Sequence, residues 1–178
     1  MQYLAEPDES PAITQVALDN FAVLLDDADF TAELELMGVG RFQFLRRRQM
    51  CLELRGLYMA LWRLALSRSF PNDADAMFAA FLHGYLTRHP EKAARQASER
   101  ARQYWGMLQP TGDANFNDVA RHLTSFAERD EKARRTLTLK LALHIRSLYR
   151  FIFDRLIQAP PRVSRHADCR HSPCPRLP

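Results

Sequence analysis

The sequence predicts an all-α fold: a single multi-helix bundle domain of about seven helices, with two long central helices and a disordered C-terminal tail. Three observations carry this. The 178 residues include only 6 glycines, and most of the 10 prolines fall at segment edges, so long stretches lack helix breakers. Apolar residues recur at helical spacing from Ile13 to Ile157, and no sustained alternating pattern marks a strand. Two stretches, starting near Arg41 and Asp130, are apolar on more than one side, as expected of helices enclosed by others.

Each element has its own signals. Ser10-Pro11 reads as an N-cap and first helical position, with Ile13, Val16, Ala17, Phe21 and Leu24 as the inner face of a helix ending near Asp26. Asp29 is placed to cap a short helix through Met37, and Gly38 to terminate it. A long helix is predicted from Arg41 to Ser67. Met50, Leu54, Leu57, Tyr58, Leu61 and Ala65 form one face, while Leu45, Leu52, Met59 and Leu66 form a second stripe on nearly the opposite side. After the Phe70-Pro71-Asn72-Asp73 turn, Met77, Phe78, Phe81, Leu82, Tyr85 and Leu86 face inward, and His89-Pro90 breaks that helix. The next is predicted from Pro90 to Leu108, and a shorter one is opened by Asp113 with Phe116, Val119, Ala120, Leu123 and Phe126 inward. The last runs from Asp130 to Gln158. It has one row of Leu137, Leu141, Ile145, Leu148, Ile152 and Leu156, and another of Leu139, Leu143, Tyr149, Phe153 and Ile157. Residues 1–159 thus form the helical domain, and 160–178 a basic tail rich in Pro, Cys and His, without periodicity and expected to be disordered.

Charge is distributed unevenly. The first forty residues hold no lysine or arginine but nine carboxylates: Glu6, Asp8, Glu9, Asp19, Asp26, Asp27, Asp29, Glu33 and Glu35. From Arg41 onward the sign reverses, so the net charge of +4 conceals an acidic segment joined to a strongly basic body. Like charges held close in a compact fold repel, so such a field must be neutralised within the fold or met by a partner.

Several function classes find no support. No apolar run approaches the roughly 20 residues of a membrane span. The acidic N-terminus lacks the basic start of a secretory signal, and three cysteines do not make a disulfide framework, so the expected location is the cytoplasm. No G-x-S-x-G, phosphate-cradling glycine loop, dinucleotide fingerprint or H-E-x-x-H occurs, so no catalytic residue and no cofactor is assigned. Cys51 reads as a core thiol. His83, His122 and His144 would serve an enzyme only if the fold gathered them. In the tail, His166, Cys169, His171 and Cys174 have ligand types suited to zinc, but their H-x2-C-x-H-x2-C spacing is not a common finger pattern.

Two surfaces remain as candidates. The stripe Leu45, Leu52, Met59 and Leu66, flanked by Arg48, Arg55 and Arg63, combines the residue types enriched at protein interfaces. It points to a non-enzymatic interaction or assembly protein whose partner is another protein or a second copy. The plainer reading packs the stripe inside the chain. The alternative is a nucleic-acid-binding regulator. Its cations would be Arg46, Arg47, Arg48, Arg88, Lys92, Arg95 and Arg102, with the acidic N-terminal segment as a mask.

Overall fold

The computed structural model describes residues 10–109, 116–127 and 130–156. Among them seven helices follow in order: α1 (Ser10–Asp26), α2 (Thr31–Leu36), α3 (Phe44–Ser69), α4 (Ala74–Arg88), α5 (Lys92–Leu108), α6 (Phe116–Ser125) and α7 (Glu131–Arg155). No strand occurs among the described residues. The expected opening residue Asp113, Ile157 and the tail lie outside them.

Helix α3 is the rod on which the bundle is assembled. Between Glu53 and Leu66 only Arg55 and Arg63 are not buried. A helix so enclosed needs neighbours all round, and α1, α4, α5 and α7 each pack against it. On one side Trp62 stacks on Phe21 of α1, with centroids 4.4 Å apart and planes 6° from parallel. Phe81 of α4 meets both rings, edge-on to Phe21 at 4.9 Å and tilted to Trp62 at 5.0 Å. Such offset and edge contacts favour one arrangement of the three helices beyond simple area burial.

On the other side α5 forms the most extensive helix pairing among the described residues, and a missing side chain permits it. A Cβ on Gly56 would overlap that of Arg100 and lie 3.0 Å from both the Ala101 nitrogen and the Ala97 oxygen. Gly56, Ala97 and Ala101 are all buried at this crossing. Small residues on both helices let the two backbones approach.

The helix ends are local sequence effects. Gly38 has φ 71°, the one positive φ among the described residues, and sits just past α2. The Val39 amide donates to the Leu34 carbonyl at 2.8 Å and the Gly38 amide to Glu35 at 2.9 Å, which satisfies two orphaned carbonyls. Asp130 caps α7, its Oδ1 accepting from the Ala133 amide at 2.7 Å. Asp29 does not cap α2 in this way. It accepts from the Thr31 amide at 3.0 Å and hydroxyl at 2.6 Å, forming a turn ahead of the helix.

The sequence predicts that both long helices are covered on two sides. That holds for α3. In α7 the row Leu137, Leu141, Ile145 and Ile152 is buried, but Leu139 and Leu143 are 61% and 57% exposed. The reason is position: α7 packs on α6, α3 and α1 along one side, and no described element covers the other.

Two helical glycines predict opposite outcomes for one substitution. Gly56→Ala pushes a Cβ into α5 and is expected to cost about 1–3 kcal/mol. Gly84→Ala in α4 meets nothing within 4 Å and should be neutral or stabilising by up to about 1 kcal/mol. Urea unfolding of the two variants beside the parent measures both.

Candidate functional site

Among the places outside the apolar core that combine polar or charged groups with open apolar surface are two on the long helices. The first is a cleft where the N-terminal turns of α3 and α5 diverge. Its volume is about 350 Å³, and it is lined by Leu45, Arg48, Gln49 and Leu52 from one helix, Lys92, Gln96 and Arg100 from the other, and Glu53. Glu53 is 1% exposed. Its Oε1 accepts from Arg100 Nε at 2.8 Å, and its Oε2 accepts from the Tyr104 hydroxyl at 2.9 Å. Burial, and then the Glu53 charge, push the Tyr104 hydroxyl far above its usual ionisation, so it serves as a donor. With Glu53 and Arg100 matched, the uncompensated charge of the cleft comes from Arg48 and Lys92. Neither has an ion-pair partner among the described residues. Leu45 and Leu52 supply an apolar wall.

The cleft brings together residues from both sequence-derived sets: Leu45, Arg48 and Leu52 from the stripe, Arg48 and Lys92 from the cations. It does not gather the rest. Met59 and Leu66 are fully buried within the chain, so they present nothing to a partner. Arg63 lies over the rings of Trp105 at 4.5 Å and Phe78 at 5.0 Å and pairs with Asp75 at 2.7 Å, an internal bridge among three helices. Arg55 is half-buried, where its charge acts on the Tyr85 phenol. Only the first two turns of the stripe are therefore open.

The cations are similarly dispersed. Arg46 donates to the Phe126 carbonyl at 2.9 Å and ties α3 to the end of α6. Arg88 lies 3.7 Å from Asp26, which also sits 3.4 Å from His89 Nε2. Arg47 is half-buried and acts on Asp29. Arg95 and Arg102 are exposed on α5. Thus part of the acidic segment is matched at helix ends, while Asp19, Asp27 and Glu35 remain exposed.

A second buried glutamate belongs to neither set. Glu33 of α2 is 5% exposed. Its Oε1 accepts from the Tyr58 hydroxyl at 3.1 Å and lies 3.0 Å from His144 Nε2, while Oε2 has no partner among the described residues. Burial opposes ionisation of Glu33. Its bonds from His144 and the backbone, the His144 charge and the Tyr58 bond outweigh burial and hold the carboxyl below its ordinary value. The bond to Glu33 raises His144 against the opposing effect of burial. The periodicity could have flagged Glu33, which falls among the inward positions of a short apolar helix. Its partner, 111 residues away, could not be read from spacing.

The histidines do not form one site. His83 is exposed on α4, His122 packs edge-on to Tyr104 and Phe126, and His144 is held by Glu33. Among the described residues no group of three His, Cys, Asp or Glu side chains could hold a metal ion. His166, Cys169, His171 and Cys174 lie outside the described residues. Burial chiefly raises the Cys51 thiol, against Arg47 and Arg55, so little thiolate is present at neutral pH. No described helix is long and apolar enough to cross a membrane.

The second open feature is the outer side of α7. Leu139, Leu143 and Phe153 are exposed there, interleaved with Arg146 and Arg150 within an arc of about 80° at 100° per residue. This amphipathic basic surface stands where the sequence predicts a buried second row. Comparison with family models, curated proteins and solved structures finds no match for the chain.

The Glu33–His144 pair gives a pH dependence with a defined sign. The raised His144 adds stability that is complete below its ordinary 6.5 and is lost as pH rises through its folded value. The lowered Glu33 adds stability that is complete above its ordinary 4.5 and is lost as pH falls. The pair therefore contributes fully between about pH 4.5 and 6.5. The thermal stability of the parent should fall relative to that of His144→Gln as pH rises from 6.5 to 8.5. A constant gap between the two would contradict this assignment.

Proposed function

We propose that the chain is a non-catalytic helical interaction protein that docks a protein partner on the outer side of α7. The observation that carries this reading is the 61% and 57% exposure of Leu139 and Leu143 in the middle of a 25-residue helix whose opposite row is buried. Isolated exposed leucines are ordinary. Here they share one narrow arc with Phe153, Arg146 and Arg150, a combination that suits the apolar centre and arginine-rich composition of protein interfaces. This moves the interface from the α3 stripe to α7.

Two of the three lysines in the chain, Lys132 and Lys140, are exposed on α7. An amine-reactive cross-linker applied to the full-length chain in its native cell extract should therefore capture a protein at these positions. Leu139→Asp with Leu143→Asp should reduce that capture at least tenfold. Equal capture by the variant, or none by the parent, would refute the reading.

The α3–α5 cleft favours a second function, anion binding that extends to a nucleic-acid backbone. Arg48 and Lys92 converge there with no ion-pair partner among the described residues, and the acidic residue of the cleft is already matched. If a phosphate backbone occupies the cleft, Arg48→Glu with Lys92→Glu should abolish binding to a DNA duplex in low salt. The parent should show a logarithmic salt slope of at least about two, roughly one unit for each phosphate neutralised. Absence of DNA binding by the parent at 50 mM salt (about a 14 Å screening length) would remove this reading.

A further inference from the structure

The outer sides of α1 and α7 match each other in charge and spacing. Ile13, Asp19, Val23 and Asp27 at and just beyond α1 fall within an arc of about 120° at 100° per residue. Ile13 and Val23 are 43% and 59% exposed, and both aspartates are exposed. This is an acidic row with two apolar points. On α7 the corresponding row is basic, with Leu143, Arg146, Arg150 and Phe153. No ion pair to Arg146, Arg150 or Asp27 occurs among the described residues, and Asp19 accepts a hydrogen bond from Gln15.

The spacings correspond. Ile13 and Val23 are ten residues apart, as are Leu143 and Phe153, which is about 15 Å along each helix. Laid antiparallel, Ile13 meets Phe153 and Val23 meets Leu143. Asp19 then falls about 9 Å along from Ile13, between Arg150 and Arg146 at about 4.5 and 10.5 Å from Phe153. Asp27 falls beside Leu139 and Lys140. In one register Ile13 and Val23 meet apolar points and Asp19 falls between two arginines, while Asp27 falls opposite Leu139 with Lys140 adjoining.

Within one chain α1 turns its row Ala17, Phe21 and Leu25 inward, and its Asn20 reaches the Arg155 carbonyl at 3.3 Å. Asn20 and the half-buried Val16 fall within the arc of the acidic row, and Ile13, Asp19, Val23 and Asp27 are its members left exposed to another molecule. We propose that the occupant of the α7 surface is α1 of a second copy of this chain. This rests on the reading of α7 as a docking surface and names its partner. A reciprocal contact closes as a dimer, while a one-way contact continues into longer oligomers. Both are self-association through the same two rows.

Light scattering on the full chain should show a mass above the monomer at 100 µM and 50 mM salt, with association weakened at least tenfold at 500 mM. Asp19→Arg with Asp27→Arg should be monomeric, as should Arg146→Asp with Arg150→Asp. An equimolar mixture of the two should recover association, because the reversed rows match. Circular dichroism confirms that each variant is folded. As an independent readout, Val23→Cys and Leu143→Cys are made separately with the three native cysteines changed to serine. Mixed and oxidised, they should give a cross-linked pair containing one of each. A monomeric parent, variants that assemble as the parent does, or a mixture that stays monomeric without that cross-link would overturn the proposal. A monomeric parent that still cross-links to another protein through Lys132 or Lys140 would leave α7 as a docking surface and remove only the second copy.

Discussion

The fold depends on how closely α5 can approach α3. A helix buried from Glu53 to Leu66 with only Arg55 and Arg63 reaching outward leaves no solvent side on which to correct a poor fit. The backbone approach at Gly56 sets the separation of the two helices, and Ala97 and Ala101 on the facing surface share it. One turn before Gly56 lies Glu53, whose two oxygens are taken by Arg100 and Tyr104 of the same α5 surface. The steric notch and the polar lock thus fix the same contact. A close-packed interior tolerates neither an added methyl at the notch nor a buried carboxylate without donors. The diverging N-terminal turns beyond this crossing form the cleft. Its shape is a consequence of where the helices are pinned.

Both buried glutamates have a tyrosine donor and one basic side chain, but the second partner differs in kind. The Arg100 guanidinium holds Glu53 at 2.8 Å across the α3–α5 contact. His144, raised above its ordinary value by Glu33, loses its charge as pH rises, so the contact joining α2 to α7 varies with pH. Glu33 also retains one oxygen without a partner among the described residues, whereas both oxygens of Glu53 are satisfied. The structure is therefore firmest around α3 and α5, and its pH-sensitive tie lies toward α7, next to the surface where docking is proposed. Buried ionic contacts of this kind are weak arguments for net stability, because desolvation offsets much of their attraction. Their effect is on which neighbour each helix accepts.

The helices were legible because their signals are local. Periodicity located six of the seven, the short α2 was placed by its flanking signals with Gly38 marking its end, and Asp130 marked the start of α7. The apolar stripe on α3 was legible as a stripe, but its environment was not. Leu45, Leu52, Met59 and Leu66 have the same spacing and similar chemistry, yet the last two are fully buried while Leu45 stands at the open end of the cleft. Burial along the stripe changes because other helices cover α3 only from its middle onward, and this is a property of the assembled bundle. The same limit explains α7, where two apolar rows were visible and the number of neighbours available to cover them was not. Arg63 shows the converse. Its charge suggested a free surface cation, and the rings of Phe78 and Trp105 together with Asp75 occupy it within the chain.

The charge asymmetry poses the remaining physical question, and the structure answers part of it within the chain. Asp26 meets Arg88 and His89, Glu33 meets His144, and Asp29 is occupied by Thr31. These contacts lie at helix ends or in the interior, where they also join elements. Asp19 and Asp27 differ because they face outward from the middle and end of α1, on the side opposite its buried row. Arg146 and Arg150 face outward from α7 in the same manner. A match between them is the contact proposed between two molecules. The two helices meet where Asn20 reaches the Arg155 carbonyl, and the buried rows of α1 and α7 lie on other sides of these helices than the four charges. That separation follows from helix geometry, and it makes an uneven charge distribution compatible with a well-packed core.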